Sequence, residues 1–397
     1  MKHYSHYNKN LIVFVALTII PLLGFGIDIY IPSLPAINQH YHATTLITQT
    51  TLTIYLLGLG LSQLIAGNIA DAYGRRRPLI IAVIFYAILC RLITQTSSID
   101  TFVYYRLMQG IAAGFAAVSA RSVFSDLFSG KEYYKKASYI TISYSIGPII
   151  APFIGGYLQH YFSWQANFYF LLIYCLFCLV LVVFFFPETI QKRHKLSISS
   201  VCKKYYSMFS HIEFVGGIIC LSAMYALLML FNLVGPFIVQ VKLHYSPISF
   251  GYIALFSGLF WFLGMITNRL TIHRNMNNKL NLVTLIAGLD LIVMLVLAQF
   301  WFNLYVIVIP LYVLLFCASI IFSSFFVHNP THFKEYAATA SAVTTGSFSL
   351  LSSWLSNTID KHLSFDSQLP LIYAYVLLIG ICIVVRLIIK VTTVKNL

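Results

Sequence analysis

GNIADAYGRRRPLI, residues 67–80, puts Asp71, Arg75, Arg76 and Arg77 within seven positions. In a chain that is 59% hydrophobic and only 9% charged, such a cluster marks a boundary. On either side lie apolar stretches, 45–69 and 78–96, each close to the ~20 residues that a helix needs to cross a bilayer. The stretch reads as a tight connection between two membrane helices, and the same length criterion applies outward from it.

Twelve apolar spans follow: 11–33, 45–69, 78–96, 101–125, 137–159, 164–186, 212–240, 246–269, 280–301, 304–327, 337–358 and 370–392. Backbone groups in lipid must pair within their own segment, so the spans are helices. The expected fold is an all-α membrane protein with twelve transmembrane helices in two six-helix bundles. Span 1 follows Lys2 and Lys9, as a secretion signal would. It is too long for one, carries Asp28 and lacks a small-residue cleavage pattern, so it reads as a helix of the protein.

A net charge of +14 would point to nucleic acid in a soluble chain. With a mean hydropathy of +0.83, membrane topology is the better account. Nineteen Lys and Arg fall in one set of connections and two, Lys242 and Lys361, in the alternating set. Both termini are therefore expected in the cytoplasm, with the chain in a bacterial inner membrane and no nucleic-acid partner. Arg91, Arg106, Arg121 and Arg386 lie within spans; Arg91 and Arg386, near helix ends, read as snorkelling. Cys175 and Cys178 form a C-x-x-C inside an apolar span, where apolar filling is the expected role.

The longest connection, 187–211, falls after six spans with six to follow. Expected boundaries are residues 1–188, a linker at 189–211, and residues 212–397. Two such halves with binding at their interface form a common transporter plan. The basic linker can also lie on anionic headgroups, and both readings can hold together.

GNIADAYGRRRPLI resembles the signature between helices 2 and 3 of the major facilitator superfamily, with Gly67, Asp71, Gly74, Arg75 and Arg76 at the expected places and Ala72 where a basic residue is usual. An ion-pair cluster there can act as a two-position latch on the cytoplasmic side. The alternative, arginines that stop helix 2 from sliding, leaves Asp71 and the glycines unexplained. DIYIPSLPAI (28–37), RLMQGIAAGFAAVSARSVFSDLF (106–128), SYSIGPIIAPFIGGYL (143–158), SW (163–164), PET (187–189) and ATASAV (338–343) together resemble the bicyclomycin-resistance (Bcr/CflA) branch of drug:proton antiporters. The resemblance covers nearly the whole chain and implies efflux. Gln165 stands where that branch has Arg, and Ser125 where it often has Arg. Within span 5, Gly147, Pro148, Pro152, Gly155 and Gly156 match the antiporter helix pattern, which implies a bent, tightly packed helix that seals one conformation.

An acid inside a span has a functional reading by default. Asp28 lies near the outer end of span 1, and Pro32, lacking an N–H, leaves the Asp28 carbonyl free. A carboxyl shielded from water favours its protonated form, which suits a group that trades a proton for cargo. A structural acid bonded to a neighbouring helix is the alternative. Arg106, at matching depth in span 4, is the expected partner of Asp28, directly or through water; snorkelling competes. Arg121 is assigned with Asp126 and Asp71 to the cytoplasmic latch. Asp290, mid-span, reads as a second titrating group, a buried hydrogen-bonding group or the sign of a shifted span.

Tyr30, Tyr55, Tyr144, Tyr225, Phe231 and Asn232 are candidates for the cavity wall, where aromatic faces suit lipophilic or cationic compounds. The twelve histidines read as scattered, so no metal site is expected, and no cofactor. No G-x-x-x-x-G-K-[ST] occurs, which leaves the proton gradient as the energy source. The expected protein is a monomeric antiporter that exports drugs or small amphipathic compounds. Its rivals are an exporter dedicated to one metabolite, such as an amino acid or siderophore, and a membrane enzyme or sensor.

Overall fold

The computed structural model describes residues 8–190, 198–363 and 367–395. Lys2 and residues 191–197 of the expected linker, with Lys192, Arg193 and Lys195, lie outside the described residues. Twelve long helical segments run in order: α1 (Lys9–Tyr41), α2 (Thr45–Tyr73), α3 (Arg76–Ile93), α4 (Ile99–Leu127), α5 (Gly130–Tyr161) and α6 (Trp164–Phe185). A short linker helix (Ile198–Phe209) precedes α7 (Ile212–Lys242), α8 (Pro247–Leu270), α9 (Met276–Phe300), α10 (Leu304–His328), α11 (Ala337–Asp360) and α12 (Leu369–Lys395). Most ends fall within four residues of the expected ones. The exceptions are α1, which runs on to Tyr41, and α5, which begins at Gly130. At both places the helix continues through polar residues that a hydropathy criterion rejects.

Among the described residues, nine helices are long and apolar enough to cross a membrane. The set omits α3, with arginines at both ends, and the hydroxyl-rich α5 and α11. Helix starts are closed by side chains where the chain leaves the apolar region: Thr44 accepts from Ile47 N–H, Ser246 from Ser249 and Asn303 from Val306.

The two halves repeat one packing scheme. In the first, α2 packs on α4, α3 on α4 and α6, and α1 on α5. Six helices later α8 packs on α10, α9 on α10 and α12, and α7 on α11. Between the bundles α2 meets α11 and α5 meets α8, the same relation in reverse. Peripheral helices turn an apolar stripe outward; on α9 it is Leu282, Leu285, Leu289, Ile292 and Val296, spaced three or four apart. Asp290 belongs to this peripheral helix, with one carboxyl oxygen buried and, among the described residues, without a hydrogen-bond partner.

The linker helix bridges both bundles. Its Tyr205 hydroxyl donates to the Leu64 carbonyl of α2 at 2.7 Å, and its Met208 is buried with Phe214, Ile218, Ala340 and Val343 of α7 and α11.

Candidate functional site

α1 is not one rod. Pro21 has no N–H to give the Leu17 carbonyl, and the helix breaks into Lys9–Ile19 and Leu22–Asp28. The stranded acceptors are taken up by neighbours: Ser143 of α5 donates to Leu17 O at 2.7 Å, and Tyr174 of α6 donates to Thr18 O. A second break follows Asp28, where a single 3₁₀ turn (Ile31–Ser33) carries Pro32.

Arg106 of α4 occupies that second break. Its guanidinium donates to Gly26 O at 2.7 Å, to Thr51 O at 3.3 Å and to Gln109, between the rings of Tyr30 and Tyr55 at 4.5 and 4.3 Å. A cation at the carbonyl end of a helix is favourably placed. Arg106 is fully buried, and among the described residues no ion pair joins it to Asp28. Of the expected pairing, direct or through water, the direct contact is absent among the described residues: Gly26 O at the helix break, Thr51 O of α2 and the Gln109 side chain take the Arg106 donors instead. Tyr30 and Tyr55 form its cage and do not line the cavity.

Asp28 faces the other way, onto a cavity of about 1730 Å³ between the bundles. It is 3% exposed, and among the described residues its carboxyl has no hydrogen-bond or ion-pair partner in the protein. Across the cavity stands an aromatic group: Tyr225 on α7 with Phe348 on α11 (5.4 Å), Trp261 on α8 with Phe322 on α10 (5.5 Å), and Phe322 with Phe348 (5.3 Å). Tyr144 and Tyr225 line the cavity, as do Gly67 and Asp71 nearer its mouth. Phe231 and Asn232 do not: Phe231 stacks on Phe250, buried beyond the cavity wall. They lie next to Leu233, where the bundles are joined, and so above the reach of the cavity.

The cavity reaches the end of the molecule that holds the 67–77 connection, with Asp126, Arg274 and His328 on its wall. At the opposite end the bundles are joined. Gln49 of α2 donates to Leu233 O at 3.0 Å, and Gln240 donates to Pro32 O at 2.9 Å. Pro236 lies inside α7, and the Phe237 N–H bonds Val234 O, leaving Leu233 O for Gln49. α5 supplies the spine of this junction. A Cβ at Gly147 would stand 2.5 Å from Gly24 Cα, and one at Gly155 would collide with Ile29 O, so only glycine lets α5 lie against the broken α1. Gly156 abuts Pro247 of α8, while Pro148 and Pro152 border Gly258 and Gly251 across the bundle interface.

Around residues 67–77, Arg75 is the centre. It pairs with Asp71, and with Asp126 at 3.1 Å. Burial works against its charge, yet the bonds to Asp126 and Asp71 outweigh that and raise its pKa. Gly74 has φ +100°, and a side chain there would run into the Glu188 carboxylate. That carboxylate accepts from the backbone N–H of Arg75 at 2.8 Å and of Arg76 at 3.4 Å, capping the positive start of α3. Thr189 donates to Asp126 at 2.7 Å, and Arg76 donates to Val183 O at 2.7 Å. The ends of α2, α3, α4 and α6 are thereby tied together within one bundle. Arg121 has no place in this cluster: its guanidinium lies 5.6 Å from the Tyr144 ring, with no ion pair among the described residues. Asp126 stands five residues on, about 140° round the helix from Arg121, which leaves Arg121 facing α5 instead.

Glu188 and Thr189 have a signal in the sequence, the PET triplet, without a role attached to it. The histidines have none. The fold collects His211, Glu213 and His332, whose ligand atoms lie within 4.8 Å of one another, correcting the reading of scattered histidines.

A sequence profile of the Major Facilitator Superfamily matches residues 17–356. The chain is 30% identical over 231 residues to a bicyclomycin resistance protein homolog of Haemophilus influenzae, covering 57% of this chain and 58% of that protein. It is 28% identical over 182 residues to multidrug resistance protein D of Escherichia coli, covering 46% of each. The chain thus spans about half the length of these curated relatives. Among solved structures, a D-xylose-proton symporter aligns over 95% of this chain and 96% of its own, with a TM-score of 0.72 at 16% identity. A peptide transporter aligns over 98% and 96%, with a TM-score of 0.73 at 11% identity. At such identities the likeness is one of fold.

Proposed function

Because the chain belongs to the major facilitator superfamily, we propose that it is a proton-coupled antiporter that exports drugs or other small amphipathic compounds by alternating access. Its likeness to proteins named for bicyclomycin and multidrug resistance supports that cargo class. One observation carries the reading: Asp28, an acid with no partner among the described residues, stands on the wall of an aromatic cavity that reaches one end of the molecule and is joined across at the other.

In this reading residues 1–188 and 212–397 rock about the cavity, joined by the linker 189–211. The open end faces the cytoplasm, both termini lie there, and a monomer in a bacterial inner membrane is the working unit. Cargo enters from the cytoplasm and lies against Tyr225, Trp261 and Phe348, where ring faces suit apolar or cationic groups. Asp28 holds either a proton or a polar or cationic cargo group. Their competition for one carboxylate couples inward proton flow to outward cargo flow. Arg106 positions Asp28 by fixing the carbonyl end of its helical piece. The Arg75 cluster keeps the cytoplasmic ends of one bundle rigid while the bundles part. The α5 glycines and prolines let that helix act as the pivot against α8.

The test is pH-gradient-driven efflux from proteoliposomes, first with a panel of toxic compounds to find a cargo. Asp28→Asn is expected to abolish uphill export while cargo binding and downhill exchange survive. If the protein carrying Asp28→Asn still drove uphill efflux from a proton gradient, the proposed proton carrier would be removed.

A further inference from the structure

We propose that His211, Glu213 and His332 form a binding site for a divalent transition-metal ion of the zinc class, with His328 as fourth ligand. His211 and Glu213 open α7; His328 and His332 lie at the end of α10 and in the connection to α11. One ligand atom from each of His211, Glu213 and His332 lies within 4.8 Å of the other two. A tetrahedral ion with ~2.1 Å bonds spaces its ligands about 3.4 Å apart, so the three need close by at most about 1.4 Å. The ring of His328 is 4.9 Å from that of His332, and its exposure gives an ion a way in.

The present contacts leave the rings unsatisfied. His332 Nδ1 stands 3.5 Å from the Glu213 carboxylate, longer than a good hydrogen bond. Among the described residues, His211 Nδ1 and His332 Nε2 are buried without a partner, although the rings lie 4.8 Å apart. Two imidazoles and a carboxylate form a donor set suited to first-row metals, zinc in particular. The segments that carry them are already held in register. Asn329 is fully buried and donates to Phe214 O at 3.0 Å, and Phe333 packs edge-on against Phe214 at 5.2 Å and His211 at 5.6 Å. A bound ion would clamp the α10–α11 connection to the start of α7 beside the cavity mouth, where Thr331 and His328 line the wall.

The full chain, purified in detergent, stripped with a chelator and carrying Cys202→Ser to remove the exposed thiol, is titrated with Zn²⁺ against a chromophoric competitor. One Zn²⁺ per chain is expected. His211→Ala, His332→Ala and Glu213→Gln should each weaken binding at least about tenfold, and His273→Ala, exposed elsewhere, should leave it unchanged. His211→Gln and His332→Gln, closer in size and polarity, replace any alanine variant that is not monodisperse. X-ray absorption at the zinc edge should show only nitrogen and oxygen at about 2.0–2.1 Å. No stoichiometric uptake, or uptake indifferent to the loss of His211 and His332, would overturn the site.

Discussion

Arg106 is a fully buried cation whose charge is distributed over three oxygen acceptors and the faces of two tyrosines. Its planar fork makes that possible, reaching Gly26 O and Thr51 O together while standing between two rings. Lysine has the same charge but neither the fork nor the plane. Arg106→Lys is therefore expected to lower the stability of the detergent-purified protein by about 1–3 kcal/mol, the cost of stranding a buried acceptor, read as a fall in thermal midpoint. A variant as stable as the parent would show that charge alone matters at this position. The sequence makes Asp28 and Arg106 legible as charges inside apolar runs. It does not disclose the breaks of α1, and it is the second break that opens Gly26 O to the arginine. Pairing acid with base, directly or through water, is the natural expectation, and in the structure two carbonyls and the Gln109 side chain take the direct contacts.

At the scale of the element, the 67–77 connection works because four helix ends converge on Arg75 and Glu188. Asp126 sits deeper than Asp71 and also takes the Thr189 hydroxyl. Asp126→Asn is accordingly expected to slow export more than Asp71→Asn, with both leaving cargo affinity near that of the parent protein. Parallel transport rates and equilibrium binding measure this, and a large loss of affinity in either variant would count against a role in rigidity alone. The charges and glycines of the connection stand together in the sequence and can be read there. Glu188 lies 113 residues from Arg75, and only the packing of α3 on α6 brings it under the helix start. His211 and His332 are invisible as a pair for the same reason.

For the whole molecule, the spacing of largely apolar runs yields the twelve helices and their order, because lipid leaves so few choices to the backbone, although α3, α5 and α11 are more polar than the other nine. The open and closed ends of the cavity are a different matter, since they depend on neutral side chains such as Gln49 and Gln240 that carry no mark in the sequence. Access should follow that asymmetry. In a Cys202→Ser background the remaining six cysteines are buried, so Met265→Cys on the cavity wall becomes a reporter. A membrane-impermeant thiol reagent is expected to label it from the side of the 67–77 connection in the absence of a gradient. Labelling only from the opposite side would contradict the proposed orientation.

The fastening at the far end has an energetic corollary. Among the described residues no ion pair spans the two bundles, and Gln49, Gln240 and Ser353 of α11 hold the closed half through neutral bonds to carbonyls. Each such bond is worth on the order of 1 kcal/mol net, well below the roughly 8 kcal/mol released when a micromolar ligand binds. Separating these surfaces creates no naked charge, so the step tolerates changes in ionic strength. Modest binding energy, delivered to one conformer in preference to the other, is enough to tip it.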